Sequence, residues 1–95
     1  MTKIREFDAA RYLDNEKMMA KYLAACLEDP NPDVFLATLG DVARAKGITS
    51  LSDETGLRRE SLYKTFAPGE KPQFDTILKI TRALGVHLSV TCSHA

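Results

Sequence analysis

The sequence lacks a long apolar run and has few cysteines, and both shortages exclude classes of protein. No apolar run approaches the roughly 18 residues that a membrane-crossing helix needs. The first eight residues contain no apolar stretch of the kind found in signal peptides, so we expect a cytoplasmic location. Two cysteines, Cys26 and Cys92, are too few for a disulfide scaffold. Cys26 falls within an apolar helical stripe and is expected to be a small core residue.

An excess of charge of one sign is also missing, since 13 basic and 13 acidic residues leave a net charge of zero. Taken alone, this balance argues against nucleic acid as a partner, but the distribution of charge matters more than its sum. Between Gly56 and Leu84 there are six basic and three acidic residues, which leaves a surplus of three positive charges. The pattern predicts one basic face on an otherwise acidic body.

Signatures of catalysis and of bound cofactors are absent as well. The chain has no glycine-rich phosphate-binding pattern. Cys92 and His94 form a ligand-like pair, but two residues do not make a zinc site. Ser61 has no candidate base in its own motif. We therefore expect no enzyme activity, no catalytic residue, no cofactor and no metal.

The 95 residues fit a single domain of mainly α class. We divide it into an N-terminal arm and helix at 1–30, a helix-turn-helix core at 33–85 and a strand at 86–91. Helical periodicity and end signals predict five helices, over Asn15–Glu28, Pro32–Lys46, Ser50–Thr55, Arg59–Phe66 and Phe74–Leu84.

The signals that end and restart these helices are local. Asp14 is the expected N-cap of the first helix, Asn31 that of the second, and Gly47 the cap that ends the second. In the first helix, the apolar residues at helical spacing are expected to face inward: Met18, Met19, Tyr22, Leu23, Cys26 and Leu27. In the last helix, the expected inward residues are Phe74, Ile77, Leu78, Thr81 and Leu84.

The C-terminal stretch Val86–Thr91 alternates apolar and polar residues, which is typical of a strand with one buried face. A lone strand leaves backbone groups unpaired. We therefore expect a partner strand, either at Lys3–Phe7 or in a second chain, and favour a homodimer paired across a two-fold axis.

A helix-turn-helix is predicted from Thr49 to about Phe66. Two helices that cross steeply need a small residue at their contact, and Ser52 is small. The turn needs a residue that tolerates positive φ, which Gly56 provides. Leu51, Leu57 and Leu62 have the spacing of a hydrophobic wedge between the helices.

The second helix of this motif then presents polar side chains that can hydrogen-bond to DNA. N-terminal residues of a recognition helix reach bases, so Arg59 and Glu60 are predicted to read base edges. Arg58, Lys64 and the helix start at Thr49 and Ser50 are better placed for phosphates. The complete predicted DNA-binding set is Thr49, Ser50, Arg58, Arg59, Glu60, Ser61, Tyr63 and Lys64.

A family resemblance covers nearly the whole chain. Residues 35–90 resemble the phage-repressor-like (XRE) helix-turn-helix family, and the full chain is similar to HigA-like addiction-module antidote proteins. The stretches that carry the resemblance are 7–14, 35–47, 54–57, 59–64, 72–76 and 82–85. Two residues depart from the family pattern: Ser52 stands where alanine is frequent, and Arg58 stands where a serine-type cap is usual.

The resemblance implies an antitoxin. Such a protein neutralises a RelE-like ribonuclease toxin and, as a dimer, binds double-stranded operator DNA to repress its own operon. Two alternatives remain: a stand-alone prophage-type repressor without a toxin, and a protein-interaction module whose helix-turn-helix has lost DNA binding.

Overall fold

The computed structural model describes residues 16–93, and the chain folds there into five helices. They are α1 (Glu16–Leu27), α2 (Pro32–Lys46), α3 (Ile48–Thr55), α4 (Arg59–Phe66) and α5 (Phe74–Ala83). The predicted mainly α class and the number of helices are confirmed. None of these helices combines the length and apolar character that crossing a bilayer requires. The predicted N-cap Asp14 and the segment Lys3–Phe7 lie outside the described residues.

The boundary between α1 and α2 follows the local sequence. Asn31 caps α2 as predicted, because its side-chain oxygen accepts a hydrogen bond from the amide of Asp33 at 3.0 Å, and Pro32 opens the helix. An N-terminal proline costs nothing here, since the first helical amides have no intrahelical partner. The helix ends at Gly47, whose φ of 116° is open to glycine and unfavourable for other residues.

Helix α2 is the centre of the molecule: it packs against α1, α3 and α4, while α3 also packs against α4 and α5. Side chains from four helices meet there without any exposed surface, namely Leu39, Val42, Leu51, Leu62 and Ile80. Burying side chains of this size stabilises the fold by about 1.5–3 kcal/mol each. Helices α3 and α4 are too short to be stable alone, so their orientation depends on this shared core.

Two details of the predicted helices α1 and α3 are wrong. Helix α3 begins at Ile48 and not at the predicted Ser50, so Thr49 lies inside its first turn. In α1, only Met19, Leu23 and Cys26 of the predicted stripe are buried. Met18 and Leu27 are about half exposed, at 45% and 51%. In this helix the buried stripe is narrow because α2 is the one described helix that α1 contacts.

Phe74, predicted to face inward from α5, is 67% exposed. Ile80 and Thr81 are the fully buried residues of this helix. Phe74 is the first residue of α5, and it lies on the same helical face as Ile77. The predicted inward face was therefore wrong at Phe74, where the end of the helix projects past the core, and it left out the buried Ile80.

The predicted C-terminal strand is also wrong, since residues 86–93 carry no strand. The segment nevertheless begins inside the core. Val86 is buried, and its amide donates to the carbonyl of Thr81 at 2.9 Å. Leu88 is partly buried, and Val90 is 96% exposed. The alternating pattern thus corresponds to packing against helices at one end of the segment, not to a ladder of backbone hydrogen bonds.

Candidate nucleic-acid interface

The turn between α3 and α4 has the backbone that the sequence predicts. Gly56 adopts a left-handed conformation with φ 78° and ψ 5°, and its amide donates to the carbonyl of Ser52 at 2.9 Å. Residues with a Cβ atom enter this region at a cost of about 1–2 kcal/mol, so glycine suits the position. A glycine here lets the chain leave α3 abruptly and start α4 three residues later.

Side chains on both sides of Gly56 hold the turn together. The hydroxyl of Thr55 donates to the carbonyl of Leu51 at 2.8 Å and accepts from the amide of Leu57 at 3.1 Å. The hydroxyl of Ser52 donates to the carbonyl of Leu57. Ser52 is small enough for the crossing of the two helices. Its hydroxyl also satisfies a backbone carbonyl, which the methyl group of alanine could not do.

The predicted hydrophobic wedge is confirmed. Leu51 and Leu62 have no exposed surface, and Leu57 packs against the core while partly buried. Because one wedge residue comes from each helix and one from the turn, a change in the crossing angle would open a cavity. The wedge therefore keeps α4 in one orientation relative to α3.

With Leu62, Thr65 and Phe66 buried, α4 turns its polar side chains outward. We define the α4 polar face as the exposed residues Arg58, Arg59, Glu60, Ser61, Tyr63 and Lys64. The face carries three cationic side chains and one anionic side chain. It also includes Tyr63, an aromatic side chain with 49% of its surface exposed.

The start of α3 lies beside the start of α4. Thr49 and Ser50 are exposed in the first turn of α3. A guanidinium nitrogen of Arg59 (Nη1) donates to the hydroxyl of Thr49 at 3.4 Å. The structure thus exposes all eight predicted residues, and the contact between Thr49 and Arg59 joins the start of α3 to the α4 polar face. The contact between Thr49 and Arg59 has no signal in the sequence, because the two residues belong to different helices.

Arg58 occupies the N-cap position of α4 in an extended conformation, with φ −69° and ψ 151°, and its side chain makes no capping hydrogen bond. The departure from the family pattern therefore has a structural consequence. The first turn of α4 has no side-chain acceptor at its cap, and its positive helix end faces outward beside the guanidinium groups of Arg58 and Arg59.

One residue that supports the interface was not predicted. The ammonium group of Lys46 donates to the carbonyl of Ala83 at 2.7 Å and lies 3.4 Å from a carboxylate oxygen of Glu54. It thereby joins the ends of α2 and α5 to α3. Contacts between distant helices leave no local pattern in the sequence, so this role of Lys46 could not be predicted.

No group of three or more His, Cys, Asp or Glu side chains among residues 16–93 could hold a metal ion. Every buried side-chain nitrogen or oxygen there has a hydrogen-bond partner.

Comparison with known proteins gives one family and one relative. The model of a family described as "Probable addiction module antidote protein" matches residues 3–92. A curated relative from Haemophilus influenzae (strain ATCC 51907 / DSM 11121 / KW20 / Rd), described as "Uncharacterized protein", is 33% identical over 88 residues. The alignment covers 93% of this chain and 91% of the relative. No solved structure matches the chain.

Proposed function

Because the chain belongs to the family of probable addiction module antidote proteins, we propose that it is an antitoxin that also represses its own operon by binding operator DNA. Membership of the family supports a toxin as the general partner. The identity of that toxin as a RelE-like ribonuclease, and the HigA-like and XRE subtypes, rest on the sequence resemblance.

The outward-facing α4 polar face is the observation that carries the DNA-binding part of the proposal. A recognition helix must offer hydrogen-bonding side chains on one face and be held rigidly on the other. Helix α4 has both properties, since Leu62 and Phe66 anchor it while its polar residues are exposed.

The residues of this face have distinct proposed roles. Arg59 and Glu60, in the first turn of α4, read base edges: arginine suits guanine O6 and N7, and glutamate accepts from cytosine N4. Arg58 and Lys64, together with Thr49 and Ser50 in α3, contact phosphates. Ser61 and Tyr63 add further hydrogen bonds from the exposed face.

The contact between Arg59 and Thr49 supports this division of roles. It holds the guanidinium group of Arg59 close to the predicted phosphate contacts of α3. An arginine that is already restrained loses less side-chain entropy on binding, and ordering such a side chain costs about 0.5–1.5 kcal/mol.

We further propose that the chain binds DNA as a homodimer. A two-fold symmetric protein places two recognition helices in successive major grooves, about 34 Å apart on a pseudo-palindromic site. The DNA chemistry would be the same for a stand-alone repressor without a toxin. The match to an antidote family favours the antitoxin over that alternative.

Two assays test the proposal. The first expresses the protein encoded by the adjacent reading frame with and without this chain, and we expect growth arrest that the chain relieves. The second titrates the full chain against the DNA upstream of its own gene in a gel shift, with a scrambled duplex as control. Growth arrest without relief would contradict the antitoxin. Equal affinity for both duplexes would contradict specific binding to the operator. That result would support an interaction module without specific DNA binding.

A further inference from the structure

An open cleft of about 800 Å³ lies apart from the α4 polar face. Its walls come from the end of α1, the connection into α2, the loop before α5 and the first turn of α5, with Leu88 from the C-terminal segment. None of the residues from 48 to 66 lines it. The cleft and the α4 polar face therefore share no residue.

The floor and walls of the cleft are apolar. Phe35, Leu36 and Ile77 form buried parts of it, while Leu27 and Phe74 expose 51% and 67% of their surface beside it. Large exposed apolar side chains clustered around one concavity mark interaction sites more often than scattered single ones do. The aromatic ring of Phe74 is the type of side chain that contributes most binding energy in protein interfaces.

The rim of the cleft is acidic. Asp29, Asp33 and Glu70 line it with only one cationic side chain, that of Lys71. A carboxylate oxygen of Asp33 accepts from the amide of Gly69 at 3.2 Å, which links the start of α2 to the loop before α5. The two walls that carry the acidic groups are thereby held together.

This charge pattern decides between possible occupants. Nucleic acid is disfavoured, because phosphates would face three carboxylates. A symmetric pair of chains facing each other through this cleft is disfavoured too, because a two-fold axis would bring the same acidic rim against itself. A small polar ligand would find no buried unsatisfied side-chain group in residues 16–93 to receive it.

We propose that this cleft is the docking surface for the toxin, and that it receives an apolar side chain of the toxin flanked by lysine or arginine. The apolar side chain packs between Leu27 and Phe74, and the basic groups pair with the rim. This inference rests on the proposed function and locates the partner on the chain. The docking surface shares no residue with the proposed DNA-binding surface.

Photo-crosslinking in the full chain tests the occupant directly. p-Benzoylphenylalanine replaces Phe74, and the matched control replaces Tyr63, an exposed aromatic residue that does not line the cleft. Each variant is co-expressed with the protein from the adjacent reading frame and irradiated, and the products are mapped by mass spectrometry. We expect crosslinks to that protein from position 74 and none from position 63. Crosslinks from position 74 to a second copy of the chain, or to its own residues 1–15, would overturn the proposal.

Binding measurements give an independent test with the same partner. Leu27→Ser and Phe74→Ser are expected to weaken the complex by roughly 30-fold or more each, the loss seen when a central apolar contact is removed. Val90→Ser removes an exposed apolar residue outside the cleft and should leave the dissociation constant unchanged. Circular dichroism and the gel shift confirm that each variant remains folded.

Charge reversal on the rim completes the design. Glu70→Lys should weaken the complex, and the loss of affinity should be larger at low salt. The control is Asp53→Lys, which reverses an exposed charge away from the cleft and should leave the affinity unchanged. If the cleft variants bind the partner as tightly as the wild type does, the docking site is refuted and the antitoxin proposal stands. Wild-type chain that does not bind the partner at all would contradict the proposed function itself.

Discussion

Arg59 is the residue through which the proposed DNA specificity is most directly tested. It is exposed in the first turn of α4 and is restrained by the hydroxyl of Thr49. Because its side chain is exposed, its replacement should change binding and leave the fold intact.

Arg59→Ala is expected to lower the specific affinity for the upstream DNA by about 1–3 kcal/mol and to relax the preference at one base position. Competition gel shifts with a set of single-base operator variants measure both effects. Lys79→Ala removes an exposed cation of α5 outside the predicted interface and is the control. Retention of both affinity and base preference by Arg59→Ala would show that this residue does not read the operator.

The surroundings of Asp41 shift the pKa of its carboxyl group. Partial burial raises the pKa of its carboxyl group above 3.8, and Arg44, 3.4 Å away, opposes this by favouring the charged form. The folded chain therefore holds this proton more tightly than the unfolded chain does. Stability contributed by this group is present at low pH and is lost as pH rises through the raised pKa.

Asp41→Asn keeps a neutral side chain at every pH and should remove this dependence. We expect the free energy of unfolding of the wild type, relative to that of the variant, to fall as pH rises from about 3 to about 7. Urea unfolding of both proteins across this range measures the difference, with the exposed Asp53→Asn as the control for loss of one carboxylate. A relative stability that rises with pH would mean that the pairing with Arg44 outweighs burial.

At the scale of the elements, the close approach of α2 and α4 depends on Gly40. A Cβ atom at this position would lie 2.9 Å from the Cβ and Cγ atoms of Phe66. These atoms are near the backbone of α4 and cannot swing away as the end of a flexible side chain can. Gly40 therefore sets how closely α4 is held against the core.

Gly40→Ala has two opposing effects on the free energy of unfolding, and they differ in size. Alanine favours a helix interior by about 1 kcal/mol over glycine, whereas overpacking of a tight core costs about 1–3 kcal/mol. We expect a net loss of up to about 2 kcal/mol in urea unfolding. Ala37→Gly, at an exposed position of α2, measures the propensity term alone. A Gly40→Ala protein more stable than the wild type would show that α4 can shift without cost.

At the scale of the whole molecule, the net charge of zero includes two surfaces of opposite charge. The α4 polar face carries three cations and one anion, and the cleft carries three anions and one cation. A neutral sum therefore does not argue against DNA binding, because each surface acts over about one Debye length, roughly 8–10 Å at physiological salt.

The C-terminal segment closes the core at one end and leaves it at the other, which gives a prediction for the stability of the whole molecule. Val86→Ala removes two buried methyl groups and should cost about 1–3 kcal/mol. Val90→Ala, at an almost fully exposed residue, should change stability by less than about 0.5 kcal/mol. Thermal and urea unfolding at several protein concentrations compare the two. Equal losses at both positions would point to a paired strand in which both residues are covered.

The sequence by itself determined the features that depend on neighbouring residues. The cap at Asn31, the left-handed turn at Gly56 and the bounds of α4 were predicted correctly, because hydrogen bonds and backbone sterics within a few residues decide them. The exposure of the α4 polar face followed from the same periodicity. The start of α3 was misplaced, because no side-chain cap marks it.

Only the tertiary structure decided what covers each apolar residue. Phe74 and Leu27 have the periodicity of core residues, yet both end at the surface because their helices extend beyond the elements that could bury them. Val86 and Val90 share one alternating pattern, but helix packing buries the first and nothing in the described chain covers the second. Burial depends on residues far apart in the chain, so periodicity identifies an apolar face without showing what that face contacts. For this reason the sequence predicted the exposed polar face of α4, whereas the cleft became visible only once the fold placed the ends of α1 and α5 around one concavity.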